Sequence, residues 1–326
     1  MKIALKIAIG VVFALALLAV GLFGSLYFDA ARPEHAVGFQ NVTVLNPKSK
    51  PLNVAIWYPT DSNPRLKMVG HIPQMLAVDG VVAGRNLPLI MISHGGGEPL
   101  AGRADNALAL ASAGFVAAAV IHADDDAVDT RYVAMPRSLT DRQHEIHLAL
   151  AYMLHDWPVH RQLNSARVGM LGFSNGGFTT LVAVGGMPNS AKIGSRWKQP
   201  RVSAPSVPPS VWVHEPTIKA AVLAAPALGY LFAPNGLSRV SIPVQLWSGT
   251  IDRIVPYEKS AAVVRRLLPR PPEFHLVSGA GHLTFISPCP TVIRFLWFCT
   301  EERGFDRVAF HREFNRSVIS FFKRNM

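Results

Sequence analysis

The stretch Gly172-Phe173-Ser174-Asn175-Gly176-Gly177 decides the fold, and it directly follows the apolar run Val168–Leu171. The run predicts a buried strand, and the residues after the glycines predict a helix. A sharp turn from strand to helix requires small residues two positions before and two positions after the serine. The pattern therefore predicts that Ser174 lies at the tip of the turn, with its hydroxyl accessible above a helix N-terminus. The alternative is a glycine-rich turn in which Ser174 only caps the helix.

Apolar runs and helical stretches alternate on both sides of this motif. Strands are predicted at Val42–Asn46, Asn53–Tyr58, Leu89–Ser93, Phe115–Ile121, Val168–Leu171, Ala220–Ala224, Val244–Trp247 and Glu273–Val277. Helices are predicted over Arg103–Ala113, Arg137–Asp156 and Tyr257–Leu268. Continuous apolar strands separated by helices indicate an α/β fold, with a mostly parallel central sheet and helices on both faces. The first two strands, separated by a proline-containing turn, indicate an antiparallel edge.

The stretch from about residue 185 to residue 217 interrupts this alternation. It carries prolines at positions 188, 200, 205, 208, 209 and 216. Such a stretch cannot form a long regular helix or an inner strand. We interpret it as an irregular, lid-like insertion over the carboxyl edge of the sheet, or as a surface loop without a role.

A second motif, His94-Gly95-Gly96-Gly97, follows the strand predicted at Leu89–Ser93. Residues without side chains let backbone N–H groups approach a reacting carbonyl oxygen, and an oxyanion that forms there needs fixed donors. We expect the N–H of Gly96 to be one donor and the N–H of Asn175 to be the other. The alternative is an ordinary turn at a strand end.

Two further motifs supply an acid and a base. Asp252 follows the strand Val244–Trp247, and His282 lies between glycines after the strand Glu273–Val277. Both therefore belong to the edge at which open α/β sheets bind their ligands. Three chain orders of the Ser-His-Asp triad are common among serine hydrolases. The order Ser174, Asp252, His282 matches one of them and differs from the other two. Either residue alone could serve a structural purpose.

Together these motifs resemble the α/β-hydrolase superfamily over roughly residues 40–325. Within it, Val54–Thr60 (Val-Ala-Ile-Trp-Tyr-Pro-Thr) together with Ser93-His94-Gly95, Gly172–Gly177 and Gly281-His282 resembles dienelactone-hydrolase-like and platelet-activating-factor-acetylhydrolase-like esterases. Dienelactone hydrolase itself uses a Cys nucleophile, whereas this chain has Ser174, so dienelactone is not the expected substrate. The resemblance implies an α/β-hydrolase fold and an esterase or lipase-like activity.

The predicted function is hydrolysis of carboxylic esters through an acyl-enzyme. Ser174 is the nucleophile, His282 the general base and acid, and Asp252 orients the imidazole. No cofactor or metal is required. An acyltransferase or amidase on the same residues, or a non-catalytic binding member of the fold, remains an alternative. The substrate is expected to be a small-molecule or lipid-like ester, and the oligomeric state is open.

The N-terminus predicts export. Lys2 and Lys6 precede the uncharged stretch Ile7–Phe28, which as a helix would span about 33 Å, enough to cross a bilayer. We divide the chain into an anchor or signal segment, residues 1–31, and a catalytic domain, residues 32–326. A retained anchor places that domain on the periplasmic or extracellular side of the membrane, and a cleaved signal leaves it secreted.

Composition excludes several classes. The formal charge is +11, but no run of five Lys or Arg occurs, so nucleic acid is not an expected partner. Two cysteines, Cys289 and Cys299, exclude a disulfide scaffold or iron–sulfur protein, and they either pair or remain free thiols. The acidic residues 124, 125, 126 and 129 lack the ligand spacing of a cation-binding loop and are interpreted as a solvated loop, with a cation site as the alternative. The apolar spacing from Phe310 to Phe322 predicts a C-terminal helix packed on the sheet, or one lying on a membrane.

Overall fold

The computed structural model describes residues 2–123, 125, 136–189, 192, 211–301 and 304–326. The strands are β1 (Val37–Val44), β2 (Leu52–Pro59), β3 (Arg65–Val69), β4 (Ile72–Val78), β5 (Leu87–Ser93), β6 (Val116–Ile121), β7 (Leu163–Phe173), β8 (Ile218–Ala224), β9 (Val244–Gly249) and β10 (Glu273–Val277). The α-helices described are α1 (Lys2–Asp29), α2 (Ala104–Ser112), α3 (Pro136–Ala151), α4 (Asn175–Ala183), α5 (Ala261–Leu267) and α6 (Arg307–Asn325).

Within the described part of the chain, the strands form one sheet of ten in the order β10-β9-β8-β7-β5-β6-β2-β1-β4-β3. The six strands from β10 to β6 are parallel to one another, and β2 is antiparallel to both β6 and β1. Parallel strands end at one edge, so Ser93, Phe173, Ala224, Gly249 and Val277 bring their following loops together there. This edge is where the sequence motifs converge.

Alternate residues of the central strands pack into two separate apolar layers. In β5, Leu89 and Met91 belong to the layer that contains α3, α4 and α5, whereas Ile90 and Ile92 belong to the layer that contains α2 and α6. All seven residues of β5 are buried. Helices cover both faces, and this explains why the strand has no polar alternation in its sequence.

The predicted strands and helices are confirmed, with different bounds. The α-helix predicted to reach Asp156 ends at Ala151 and continues as a π-turn, and the helix predicted from Tyr257 begins as a 3₁₀ turn and becomes α-helical at Ala261. The β3–β4 hairpin was not predicted, because the charges and the proline of its short strands gave no apolar run.

The two terminal helices differ in burial. Helix α6 packs on the sheet, with Phe310, Phe314 and Val318 buried, which confirms the packed alternative for this segment. Helix α1 is long and apolar enough to cross a membrane over Leu5–Asp29, with a mean hydropathy of 2.7 and none of its most apolar stretch buried. The predicted insertion at about residues 185–217 lies largely outside the described residues.

Candidate active site

Ser174 occupies the turn between β7 and α4 in a backbone conformation that favours glycine. Its φ is 53° and its ψ is −118°. The surrounding backbone holds this conformation, since the Ser174 N–H donates to the Ala224 carbonyl at 3.0 Å and the Ser174 carbonyl accepts from the Ala227 N–H at 2.9 Å. Strain that is held in place in this way is typical of functional positions.

The glycines beside Ser174 are required by close packing. A Cβ atom on Gly172 would collide with the carbonyl of Gly176, and a Cβ atom on Gly176 would collide with the carbonyl of Ser93. A larger residue therefore does not fit at either of the positions two residues away from the serine. This agrees with the steric requirement inferred from the sequence.

The structure brings Ser174, His282 and Asp252 into one hydrogen-bonded array. The distance from His282 Nε2 to Ser174 Oγ is 2.9 Å, and the distance from His282 Nδ1 to Asp252 Oδ2 is 2.7 Å. The other carboxylate oxygen, Oδ1, accepts from the backbone N–H groups of Ile254 and Val255 at 3.0 and 2.7 Å. These two bonds fix the carboxylate, which in turn orients the imidazole ring.

Ser174 and His282 line a cavity of about 780 Å³ at the carboxyl edge of the sheet. Glycines 95–97, Asn175 and apolar residues that include Leu228, Ile286 and Trp297 also line it. A groove of similar size between Arg32 and Lys323 holds none of the candidate residues. The cavity beside Ser174 is therefore the one that can present a substrate to this hydroxyl.

The carbonyl of Gly95 points away from this cavity. It accepts from Arg142 Nη2 at 3.0 Å and from His94 Nδ1 at 2.6 Å. Across a trans peptide the N–H lies opposite the carbonyl, so the N–H of Gly96 points away from Arg142. It finds no acceptor among the described residues. Asn175 is the first residue of α4, where an N–H also has no partner within the helix.

Two buried ion pairs hold this loop. Arg142 pairs with Asp125 at 2.7 Å and also donates to the carbonyl of His94 at 2.7 Å, while Arg103 pairs with Glu98 at 2.9 Å. Asp125 accepts in turn from the N–H of Gly97 at 3.3 Å. The expectation of a solvated acidic loop is wrong for Asp125, which is 1% exposed because it balances a buried guanidinium. Residues 124, 126 and 129 lie outside the described residues.

His94 is held in its neutral form. Its Nε2 accepts from the backbone N–H of His122 at 3.0 Å, so the ring proton resides on Nδ1 and is donated to Gly95. Burial and the positive charge of Arg142 lower the pKa of His94 to about 3. His94 therefore fixes the shape of the loop and carries no charge toward the cavity.

A second serine–histidine–carboxylate array begins at Ser93, the residue that directly precedes the His94–Gly97 loop. Ser93 Oγ is 2.8 Å from His122 Nε2, and His122 Nδ1 is 2.8 Å from Glu145 Oε2. Burial lowers the pKa of His122 well below its usual value and raises that of Glu145 to about 8, so both shifts favour the neutral forms. None of the three residues lines the cavity. This array was not predicted from the sequence, because no local motif marks it.

Cys289 and Cys299 form a disulfide, which resolves the open choice in favour of pairing. The disulfide closes a loop after His282, and Trp297 and Phe298 of this loop line the cavity. Among the described residues, no group of three or more His, Cys, Asp or Glu is arranged to hold a metal ion.

No protein-family model and no curated protein sequence matches this chain. A solved structure is similar: the ferulic acid esterase from Streptomyces cinnamoneus aligns with a TM-score of 0.65 at 15% sequence identity, covering 91% of this chain and 92% of that one. At this identity the likeness concerns the fold and does not distinguish subgroups of esterases. The chain thus has an α/β-hydrolase-like fold, with a mostly parallel sheet and helices around it.

Proposed function

We propose that the protein is a serine hydrolase that cleaves carboxylic esters. The observation that carries this proposal is the continuous array from Ser174 Oγ through His282 to Asp252, with hydrogen bonds of 2.9 and 2.7 Å at the wall of a cavity. The name of the structurally similar protein, a ferulic acid esterase, supports ester hydrolysis as the class of reaction.

The geometry accommodates each step of acyl transfer. Ser174 Oγ attacks the ester carbonyl carbon while His282 Nε2 takes its proton, and Asp252 stabilises the resulting imidazolium. The N–H groups of Gly96 and Asn175 donate to the oxyanion. Collapse of the tetrahedral intermediate expels the alcohol, which receives the proton from His282. Water then attacks the acyl-enzyme with His282 as base, releasing the acid and restoring Ser174.

Two alternatives use the same residues differently. In an acyltransferase, an acceptor alcohol or amine replaces water in the second step, and in an amidase the first leaving group is an amine. A non-catalytic binding protein needs neither the strained serine nor the matched acid and base. The intact array therefore favours an enzyme over a binding member of the fold.

The test is a screen of p-nitrophenyl esters from acetyl to palmitoyl, together with a feruloyl ester. We expect turnover of at least one chain length by the wild-type chain and none above background by Ser174→Ala. Release of free acid separates a hydrolase from an acyltransferase. Turnover that survives in Ser174→Ala, or the absence of turnover across the whole series, would contradict the proposal.

The proposal includes the location of the protein. We propose that residues 1–31 are a membrane anchor and that residues 32–326 are an exported catalytic domain. The apolar helix α1 supports it, as does the disulfide, because disulfides persist in oxidising compartments. An anchored chain stays with membranes in about 1 M salt, because apolar burial does not depend on ionic screening. A mature N-terminus near residues 30–36 would instead demonstrate a cleaved signal.

A further inference from the structure

The loop closed by the Cys289–Cys299 disulfide exposes two large aromatic side chains. Phe295 is 78% exposed and Trp297 is 76% exposed. The neighbouring Arg294 is also exposed. Adjacent aromatic side chains that remain in contact with water are typical of surfaces that bind something apolar.

This loop is attached to the end of the apolar helix α1. Thr291 donates to the carboxylate of Asp29, the last residue of α1, through its backbone N–H at 2.7 Å and through its hydroxyl at 2.9 Å. The two hydrogen bonds hold the disulfide loop beside the point at which α1 leaves the catalytic domain.

A second attachment fixes the same point to the sheet. The N–H of Ala31 donates to the carbonyl of Pro73 at 3.0 Å, and the carbonyl of Ala31 accepts from the N–H of Met75 at 3.0 Å. The nearby ring of His71 contacts the ring of Phe298, with 5.7 Å between centroids. The segment that precedes β4, the end of α1 and the disulfide loop therefore form one continuous surface.

The wall of the cavity belongs to this surface. His71, Trp297 and Phe298 line the cavity that contains Ser174. Arg253 and Lys259 are exposed and line the cavity as well. The cavity and the exit of α1 therefore lie on the same side of the molecule.

We propose that the Cys289–Cys299 loop is a second membrane contact, in which Phe295 and Trp297 enter the interface of the bilayer that α1 spans. Aromatic rings favour this interface, and exposed basic residues are attracted to anionic headgroups. The disulfide orders the loop beforehand, which lowers the entropic cost of inserting it. The contact turns the cavity toward the lipid, so esters dissolved in the bilayer are the substrate class. This last step rests on the proposed ester hydrolysis, whereas the contact itself does not.

The contact is tested without reference to activity. The full chain is reconstituted in vesicles of phosphatidylcholine and phosphatidylglycerol that contain brominated lipid, and quenching of tryptophan fluorescence is measured. Trp57, Trp157, Trp212 and Trp247 are at most 6% exposed and should contribute little. We expect Trp297→Phe to remove most of the quenching and the control Trp212→Phe, at a buried tryptophan, to retain it. Unchanged quenching in Trp297→Phe overturns the proposal.

The substrate class is tested with Phe295→Ser, since Phe295 does not line the cavity. We expect hydrolysis of a long-chain ester dissolved in the vesicles to fall about tenfold, while hydrolysis of p-nitrophenyl acetate is unchanged. Leu45→Ser, which changes an apolar residue that is 80% exposed elsewhere, should affect neither. An equal loss of activity on both esters overturns the proposal. The proposal is also overturned if Phe295→Ser abolishes self-association of the protein without any change in quenching, since a second copy of the chain would then cover the loop. Absence of all hydrolysis in the wild type refutes the proposed function and leaves the quenching result standing.

Discussion

Two serine–histidine–carboxylate arrays occur among the described residues, at the ends of neighbouring strands. In the first array, hydrogen bonds of 2.9 and 2.7 Å join Ser174, His282 and Asp252. In the second array, two hydrogen bonds of 2.8 Å join Ser93, His122 and Glu145. Hydrogen-bond distance therefore does not separate them. Only the first array lies on the cavity, and only its serine has the positive φ that presents a hydroxyl above the strand end.

The difference shows which features make such an array reactive. Ser93 and His122 are 0% exposed and Glu145 is 1% exposed, so no ester carbonyl can approach the Ser93 hydroxyl. Burial also favours a neutral His122 and a protonated Glu145, so this array lacks an ionised carboxylate to stabilise an imidazolium. We interpret the Ser93 array as a brace behind the oxyanion loop and the Ser174 array as the catalytic one.

Replacing each serine by alanine should separate the two arrays most strongly. Ser174→Ala should lower kcat/KM by about 10⁴–10⁶ with little change in the melting temperature. Ser93→Ala should keep activity within about threefold but lower stability by about 1–3 kcal/mol, because it leaves a buried nitrogen of His122 without a partner. Ester turnover and thermal unfolding of both variants measure this. A large loss of activity in a stable Ser93→Ala protein would contradict the assignment.

Loss of the hydrogen bonds from Arg142 to the His94–Gly97 loop should affect kcat more than KM. In Arg142→Lys the buried positive charge beside Asp125 remains, but the paired contacts with the carbonyls of His94 and Gly95 are lost. The N–H of Gly96 is then less firmly directed at the oxyanion, and we expect kcat to fall about 10- to 100-fold. Arg137→Lys, at an exposed arginine of the same helix, is the matched control. Equal kcat values in the two variants would exclude a positioning role for Arg142.

The neutral Glu145 should appear in the pH dependence of stability. Its pKa is raised from 4.5 to about 8, so its contribution to stability is complete below about pH 4.5 and is lost as pH rises through 8. The pKa values of the buried His94 and His122 are lowered, so their pH dependence is opposite to that of Glu145. Their contribution to stability is complete above about pH 6.5 and is lost only as pH falls below that value. Between pH 6.5 and 8 the wild type should therefore lose stability relative to Glu145→Gln, by about 1 kcal/mol per pH unit, and the difference should level off above pH 8. Denaturant unfolding at several pH values measures this slope, and parallel profiles would refute it.

Site residues that lie in a short, recognisable motif could be predicted from the sequence. Ser174, Asp252 and His282 each lie in a short glycine-containing motif directly after an apolar strand, and parallel strands bring such motifs to one edge. The same logic predicted Gly96 and Asn175 as the oxyanion donors, and both residues line the cavity.

The bracing residues had no such signal. Arg142 reaches the carbonyl of His94 across 48 positions and Asp125 across 17. His122 meets Glu145 across 23 positions, and nothing in the flanking sequence of either residue marks that contact. Such pairs depend on how the helices pack on the sheet, which periodicity alone does not specify.

Labelling with a fluorophosphonate tests the central claim most directly. The reagent phosphonylates an activated serine hydroxyl, and mass mapping of peptides from the full chain identifies the modified residue. We predict a single adduct at Ser174, present in the wild type and in Ser93→Ala and absent in Ser174→Ala. An adduct at Ser93, or persistent labelling of Ser174→Ala, would contradict the account of Ser174 as the nucleophile.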